Sequence, residues 1–251
     1  MSTSPSRRRF LRTTAVFFGI IATSLATYFP AIAKWIPSRL RPPGAVIEED
    51  FLSSCIKCGQ CVQVCPVEAI VLADLDEAMS IGTPYIDARS QACDFSCEAL
   101  QCILACPTGS LSHDITKKEE VRMGLARVVN PEACLARLCQ EFKGTARGPD
   151  FKGLLRYLKT DRWNPIPVRE HEYNSEPCDL CVIQCPLNLD EKGNLKADGK
   201  AISLQNIDEQ GKCKIPVIHD TCVGCGVCAM ICPVEPSVIV IDERKVWENV
   251  V

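Results

Sequence analysis

The sequence predicts an α+β, loop-rich fold made as a double module and preceded by an N-terminal helix. Three observations carry this expectation. Four cysteine blocks recur along residues 46–251, short apolar runs follow the first and last of them, and an uncharged stretch with a basic start opens the chain.

The N-terminal helix is expected from Ser6-Arg7-Arg8-Arg9-Phe10-Leu11-Arg12, which is followed by uncharged residues 13–33. Paired arginines, then Phe-Leu, then a basic residue resemble the twin-arginine export signal. Ala31-Ile32-Ala33 supplies a small-residue cleavage pattern. Residues 1–33 therefore read as a signal peptide cleaved after Ala33. A retained anchor is the alternative, because the uncharged stretch has the length to cross a bilayer, although Pro30 interrupts it. Residues 34–45, rich in Pro and Arg, read as a linker ahead of the main domain at 46–251.

The first block is Cys55-x2-Cys58-x2-Cys61-x3-Cys65-Pro66. Thiolates two residues apart in a tight loop can each reach a different iron of one [4Fe–4S] cubane, and the fourth leaves to bind a neighbouring cluster. Zinc sites favour paired C-x2-C knuckles, for which a third cysteine in the loop is surplus. The apolar run at residues 69–72 then reads as a strand or helix start packed under a cluster. The second block, Cys93-x3-Cys97-x4-Cys102-x3-Cys106-Pro107, is looser and keeps the same ending. The fourth, Cys222-x2-Cys225-x2-Cys228-x3-Cys232-Pro233, repeats the first, and residues 238–241 follow it as a strand.

The third block offers only Cys178-x2-Cys181-x3-Cys185-Pro186. We assign its missing ligand to Cys134, because the interval from Cys106 to Cys134 equals that from Cys65 to Cys93, 28 residues each. Cys139 is the alternative. Sixteen cysteines then serve four [4Fe–4S] clusters. Cys213 and the unused member of Cys134 and Cys139 remain, either as a disulfide in an oxidising compartment or as buried thiols. Adjacent pairing would join blocks one with two and three with four. Nested pairing would enclose blocks two and three within one and four. Spacing alone leaves both open.

Between the blocks, residues 140–177 read as an insertion, with a short amphipathic helix expected at 151–159. Residues 187–212 read as a polar loop or hairpin, with turns at Gly193 and Gly199.

Composition agrees with metal-centred folding. Eighteen cysteines in 251 residues are too few and too clumped for a disulfide scaffold, and aromatics at 6% limit an ordinary core. A net charge of −3 gives no basic field for nucleic acid. Neither a c-type haem motif nor a phosphate-cradling glycine loop is present. His113, His171 and His219 have no neighbours suggesting catalysis, though His219 is close enough in sequence to Cys222 to tune a cluster by hydrogen bonding. No substrate-level chemistry is visible, and no catalytic residue is assigned.

The order of these features, with Leu40-Arg-Pro-Pro-Gly-Ala45, Cys58-Gly-Gln-Cys61-Val-Gln, Gly82-Thr-Pro-Tyr85 and Arg122-Met-Gly-Leu-Ala126, resembles the NapG/MauM ferredoxin-type proteins over nearly the whole chain. That resemblance implies a ferredoxin-like periplasmic electron carrier with four [4Fe–4S] clusters. It further implies a membrane-bound NapH-like or MauN-like iron–sulfur partner that oxidises quinol, and a periplasmic c-type cytochrome or reductase as acceptor. The distance from Cys134 to the rest of block three departs from the family pattern. The runner-up function is the iron–sulfur small subunit of a molybdoenzyme-type oxidoreductase, where nested pairing is common.

Overall fold

Closely spaced cysteines and prolines break the chain into turns, so regular elements beyond the N-terminal helix are short. The computed structural model describes residues 5–33, 39–74, 80–97, 99–147, 170–190 and 192–243. Six helices occur among them: α1 (Pro5–Ala33), α2 (Glu48–Ser54), α3 (Gln60–Gln63), α4 (Gln101–Leu104), α5 (Leu180–Ile183) and α6 (Val227–Ile231). Eight strands form four antiparallel pairs. These are β1 (Ile70–Leu72) with β2 (Pro84–Ile86), β3 (Gly124–Val128) with β8 (Ile239–Glu243), β4 (Phe142–Arg147) with β5 (Glu170–Ser175), and β6 (Ile202–Asn206) with β7 (Lys214–Ile218). The helix expected at 151–159 lies outside the described residues.

The pairings reveal two modules of one plan. In the second, the first and last strands close the unit, from Gly124 opposite Glu243 to Val128 opposite Ile239. In the first, closure shrinks to a bridge of Ala45 with Leu111, flanked by Val46 N–H donating to the Ser110 carbonyl at 3.1 Å. Each module also carries an inner hairpin, β1–β2 in one and β6–β7 in the other. A continuous core runs through both, with Phe51, Val121, Val223, Val227 and Ile239 nearly fully buried.

The segment expected as a linker is built into the first module where it is described: residues 40–45 are buried. Pro43 and Gly44 form a turn, closed by the Ala45 N–H donating to the Pro42 carbonyl at 3.2 Å, and Pro43 has no N–H left to satisfy there. Arg41 tolerates burial because each donor finds an acceptor. It pairs with both carboxylate oxygens of Glu48, at 2.9 and 2.6 Å. It also donates to the Thr83 hydroxyl and the Pro84 carbonyl, and lies over the Phe51 ring. The Ile86 N–H donates to the Leu40 carbonyl at 2.8 Å, so this segment borders β2.

Glycine is needed where the modules meet their closing strands. Gly224 has φ +73°, and a Cβ there would run into the backbone of Gly124, whose own Cβ would meet the Asp242 carbonyl. Met123 and Gly124 both direct N–H groups at the Val223 carbonyl, at 3.0 and 3.5 Å. The two backbones touch because neither residue has a side chain.

In α1, Phe10, Leu11, Phe17 and Phe18 stand exposed. No helix among the described residues is long and apolar enough to cross a membrane.

Candidate metal centres

Four short helices place the cysteines. Cys61 lies in α3, Cys102 in α4, Cys181 in α5 and Cys228 in α6. Three of these helices are entered through a left-handed residue, Gly59, Leu100 or Gly226, which turns the preceding loop sharply back. At Gly226 a Cβ would also strike Ala88 of the first module. A proline after the last cysteine of each block then starts the turn away.

Sixteen free cysteines gather into four groups of four. Cys55, Cys58, Cys61 and Cys106 line one space. Cys93 faces Cys65, Cys97 and Cys102, each of which would repel its charge. Cys134, Cys178, Cys181 and Cys232 line another, and Cys185, Cys222, Cys225 and Cys228 a third. We number these sites one, two, three and four. Pairing is thus adjacent: blocks one and two exchange their last cysteines, as do blocks three and four. Cys134 occupies the fourth position of site three. Cys139 instead forms a disulfide with Cys213.

Each of the four groups is purely thiol, a donor set suited to iron–sulfur clusters. Among the described residues, no three His, Cys, Asp or Glu side chains converge as the ligands of a single ion would. Burial, aided by neighbouring cysteines, pushes the Cys61 thiol up to about 12 and Cys178 up to about 11. Burial also drives Cys93, Cys102, Cys181 and Cys228 well above the ordinary thiol value. Such groups become thiolates only against a compensating positive charge, which bound iron provides. The residues fit the group.

The turns after the exchanged cysteines aim donors at sulfur. Ala69 N–H donates to the Cys65 Sγ at 3.3 Å. Burial raises Cys185, while the N–H groups of Leu187 and Asn188 work against it. At Cys106 burial is outweighed: the Leu111 and Thr108 N–H groups and the Thr108 and Ser110 hydroxyls hold its thiol below the ordinary value. The two hydroxyls are themselves 2.6 Å apart.

The sites form a row. Sites one and two share α3 and α4, and sites three and four share α5 and α6 through the exchanged cysteines. Between modules, the Cys93 N–H donates to the Cys225 carbonyl at 3.3 Å, joining sites two and four. The order is one, two, four, three. Site one has the exposed Cys58, whereas Cys93, Cys102, Cys225 and Cys228 of the inner sites are buried.

Three supporting residues had no motif to reveal them. Arg89, from the first module, reaches across to α6. It donates to the carbonyls of Ala229 at 2.6 Å, Cys232 at 2.7 Å and Val234 at 3.0 Å, and pairs with Glu235 at 2.7 Å. Asp94 lies between sites two and four, where burial holds its carboxyl above the usual range despite the Ser96 N–H. Asn188 is fully buried; its amide donates to the Val182 and Ile202 carbonyls and accepts from Ala201 N–H, tying the turn after Cys185 to β6. Of the histidines, His219 bonds Ser203 at 2.7 Å through Nε2, and His113 bonds the Cys106 carbonyl at 3.1 Å. His171 has no described side chain.

Two modules of this plan, each with exchanged cysteines, define a ferredoxin-type 4Fe–4S protein. A family model for a 4Fe-4S dicluster domain matches residues 54–110, and one for a 4Fe-4S binding domain matches residues 215–236. The chain is 34% identical over 238 residues to the ferredoxin-type protein NapG of Escherichia coli (strain K12), covering 93% of this chain and 84% of that protein. It is 32% identical over 247 residues to the methylamine utilization ferredoxin-type protein MauM of Methylorubrum extorquens, covering 96% and 91%. No solved structure matches it. The chain belongs to the NapG/MauM family of ferredoxin-type electron-transfer proteins.

Proposed function

We propose that this protein is a periplasmic electron carrier working between a membrane-bound, quinol-oxidising NapH-like or MauN-like iron–sulfur partner and a c-type cytochrome or reductase. Its ligands are Cys55, Cys58, Cys61 and Cys106; Cys65, Cys93, Cys97 and Cys102; Cys134, Cys178, Cys181 and Cys232; and Cys185, Cys222, Cys225 and Cys228. Four [4Fe–4S] clusters held there would supply one-electron exchange without making or breaking substrate bonds. The observation that carries the reading is the row of four all-thiol groups with buried inner members. Buried thiols exclude water from the middle of the row, and the exposed Cys58 opens one end to a partner.

Export through the twin-arginine route, with cleavage after Ala33, is part of the proposal. It rests on the basic start and small-residue end of residues 1–33. Such export carries folded proteins, so clusters are inserted before translocation. The molybdoenzyme small-subunit reading is less well supported, because adjacent grouping departs from the nested pairing common there.

Anaerobic purification with iron analysis and low-temperature EPR tests the function. About sixteen irons per chain and reducible [4Fe–4S] signals are expected; a zinc-loaded protein would overturn it.

A further inference from the structure

Site three alone draws only two of its cysteines from one local loop: Cys134 precedes Cys178 by 44 residues and Cys232 follows Cys181 by 51, whereas each other site takes three cysteines from one loop, Cys55–Cys61, Cys93–Cys102 or Cys222–Cys228, and one from a distance. Site three must therefore close two long loops where the other sites close one, and each closure costs conformational entropy. Something in the fold must hold Cys134 in place.

Three ties converge on residues 134–140. At their far end, the Gln140 carbonyl accepts from the N–H of Cys178, another cysteine of the same site, at 3.1 Å. In the middle, the Ala136 carbonyl accepts from Lys214 N–H at 2.9 Å. Beside that bond lies the Cys139–Cys213 disulfide. Cys213 closes the turn of the β6–β7 hairpin, with Ile207 N–H donating to its carbonyl at 3.0 Å. Leu204 and Pro216 of that hairpin line site three beside Cys134. The disulfide therefore joins the segment that carries the ligand to the hairpin that walls the site. It is covalent, and it spans 74 residues that include the insertion and the rest of block three.

We propose that the Cys139–Cys213 disulfide is a clasp that retains the cluster of site three by holding Cys134 against the β6–β7 wall. Cys139 and Cys213 are positioning residues and ligate nothing. The inference rests on the four-cluster reading. Both the insertion and the clasp lie in the second module, and the first module, with its compact second block, has no counterpart.

The test follows iron release from the exported protein, purified anaerobically from the periplasm and challenged with a ferrous chelator. The wild type should hold about sixteen irons and release them slowly. In the Cys139→Ala/Cys213→Ala double variant, about a quarter of the iron should leave faster, on the order of tenfold or more, with the remainder at the wild-type rate. Wild-type protein treated with a phosphine reductant under argon, and alkylated to block re-oxidation, should release the same quarter; this arm serves if the variant fails to fold. With sixteen irons present, release superimposable on untreated wild type in the reduced protein overturns the clasp alone. A wild-type iron content well short of sixteen overturns the four-cluster reading and the clasp with it.

Discussion

Replacing Arg89 should loosen the junction between the modules. The last carbonyls of a helix have no partner within it, and in α6 they are met by a guanidinium from the other module. Arg89 makes three carbonyl contacts at 3.0 Å or less, plus the Glu235 pair. A hydrogen bond to a charged donor contributes about 1.5–3 kcal/mol when shielded. The Arg89 side chain is 36% exposed and that of Glu235 78%, so water can replace part of this and the ion pair adds little. Two shielded bonds near the lower figure give about 3 kcal/mol for Arg89→Met, or roughly a hundredfold in an equilibrium constant. Arg89→Lys should lose about half of that, because an ammonium cannot fork to several carbonyls at once. Iron–sulfur proteins lose their clusters on unfolding, so the suitable assay is the rate at which visible absorbance bleaches in urea under argon. The expected order is methionine fastest, lysine intermediate and wild type slowest. Bleaching of Arg89→Met at the wild-type rate would refute the assignment of Arg89 as an inter-module cap.

Other substitutions probe other parts of the fold. Gly224→Ala combines a left-handed backbone with a collision against Gly124 and should cost about 3 kcal/mol; a urea midpoint equal to wild type would contradict that close approach. Cys58→Ser removes an exposed member of site one and should lower bound iron by about a quarter, and unchanged iron would remove Cys58 from the ligand set. Replacing Arg7 and Arg8 together by lysine should leave precursor in the cytoplasm; normal recovery of mature protein from the periplasm would defeat the export assignment.

The cysteine blocks were legible because cluster chemistry imposes a spacing that few other demands produce. The run after block one, open between strand and helix in the sequence, is strand β1, and the strand expected after block four occurs as β8. Adjacent pairing was not legible, since exchange of last cysteines satisfies both arrangements equally until the chain is folded. The choice of Cys134 over Cys139 rested on an interval alone, whereas the fold separates them by different neighbours: one faces Cys178, the other Cys213. Three of the four segments behind the family resemblance prove to be packing contacts, and the fourth carries Cys58 and Cys61 of site one. Arg41 bonds Thr83 and Pro84, joining two of them, and Gly124 of a third lies against Gly224. Arg89 and Asn188 stayed hidden because their partners are backbone carbonyls and amides, which have no sequence signature.

The closure of each module also sets an order of assembly. The ties that close the first module on itself are complete once Ser112 has bonded to Gly44, leaving outstanding its bonds to the second module, such as those of Arg89 and Cys93. Sites one and two then hold all eight of their cysteines, so this half can fold while the rest of the chain is still being made. The second module has no such freedom: Cys232 belongs to site three, and β8 pairs with β3 across the whole unit. Cys134, exposed early on the growing chain, must wait for nearly a hundred later residues before its partners exist. Synthesis from the N-terminus thus presents a first half already closed on itself, on which the slower half can build.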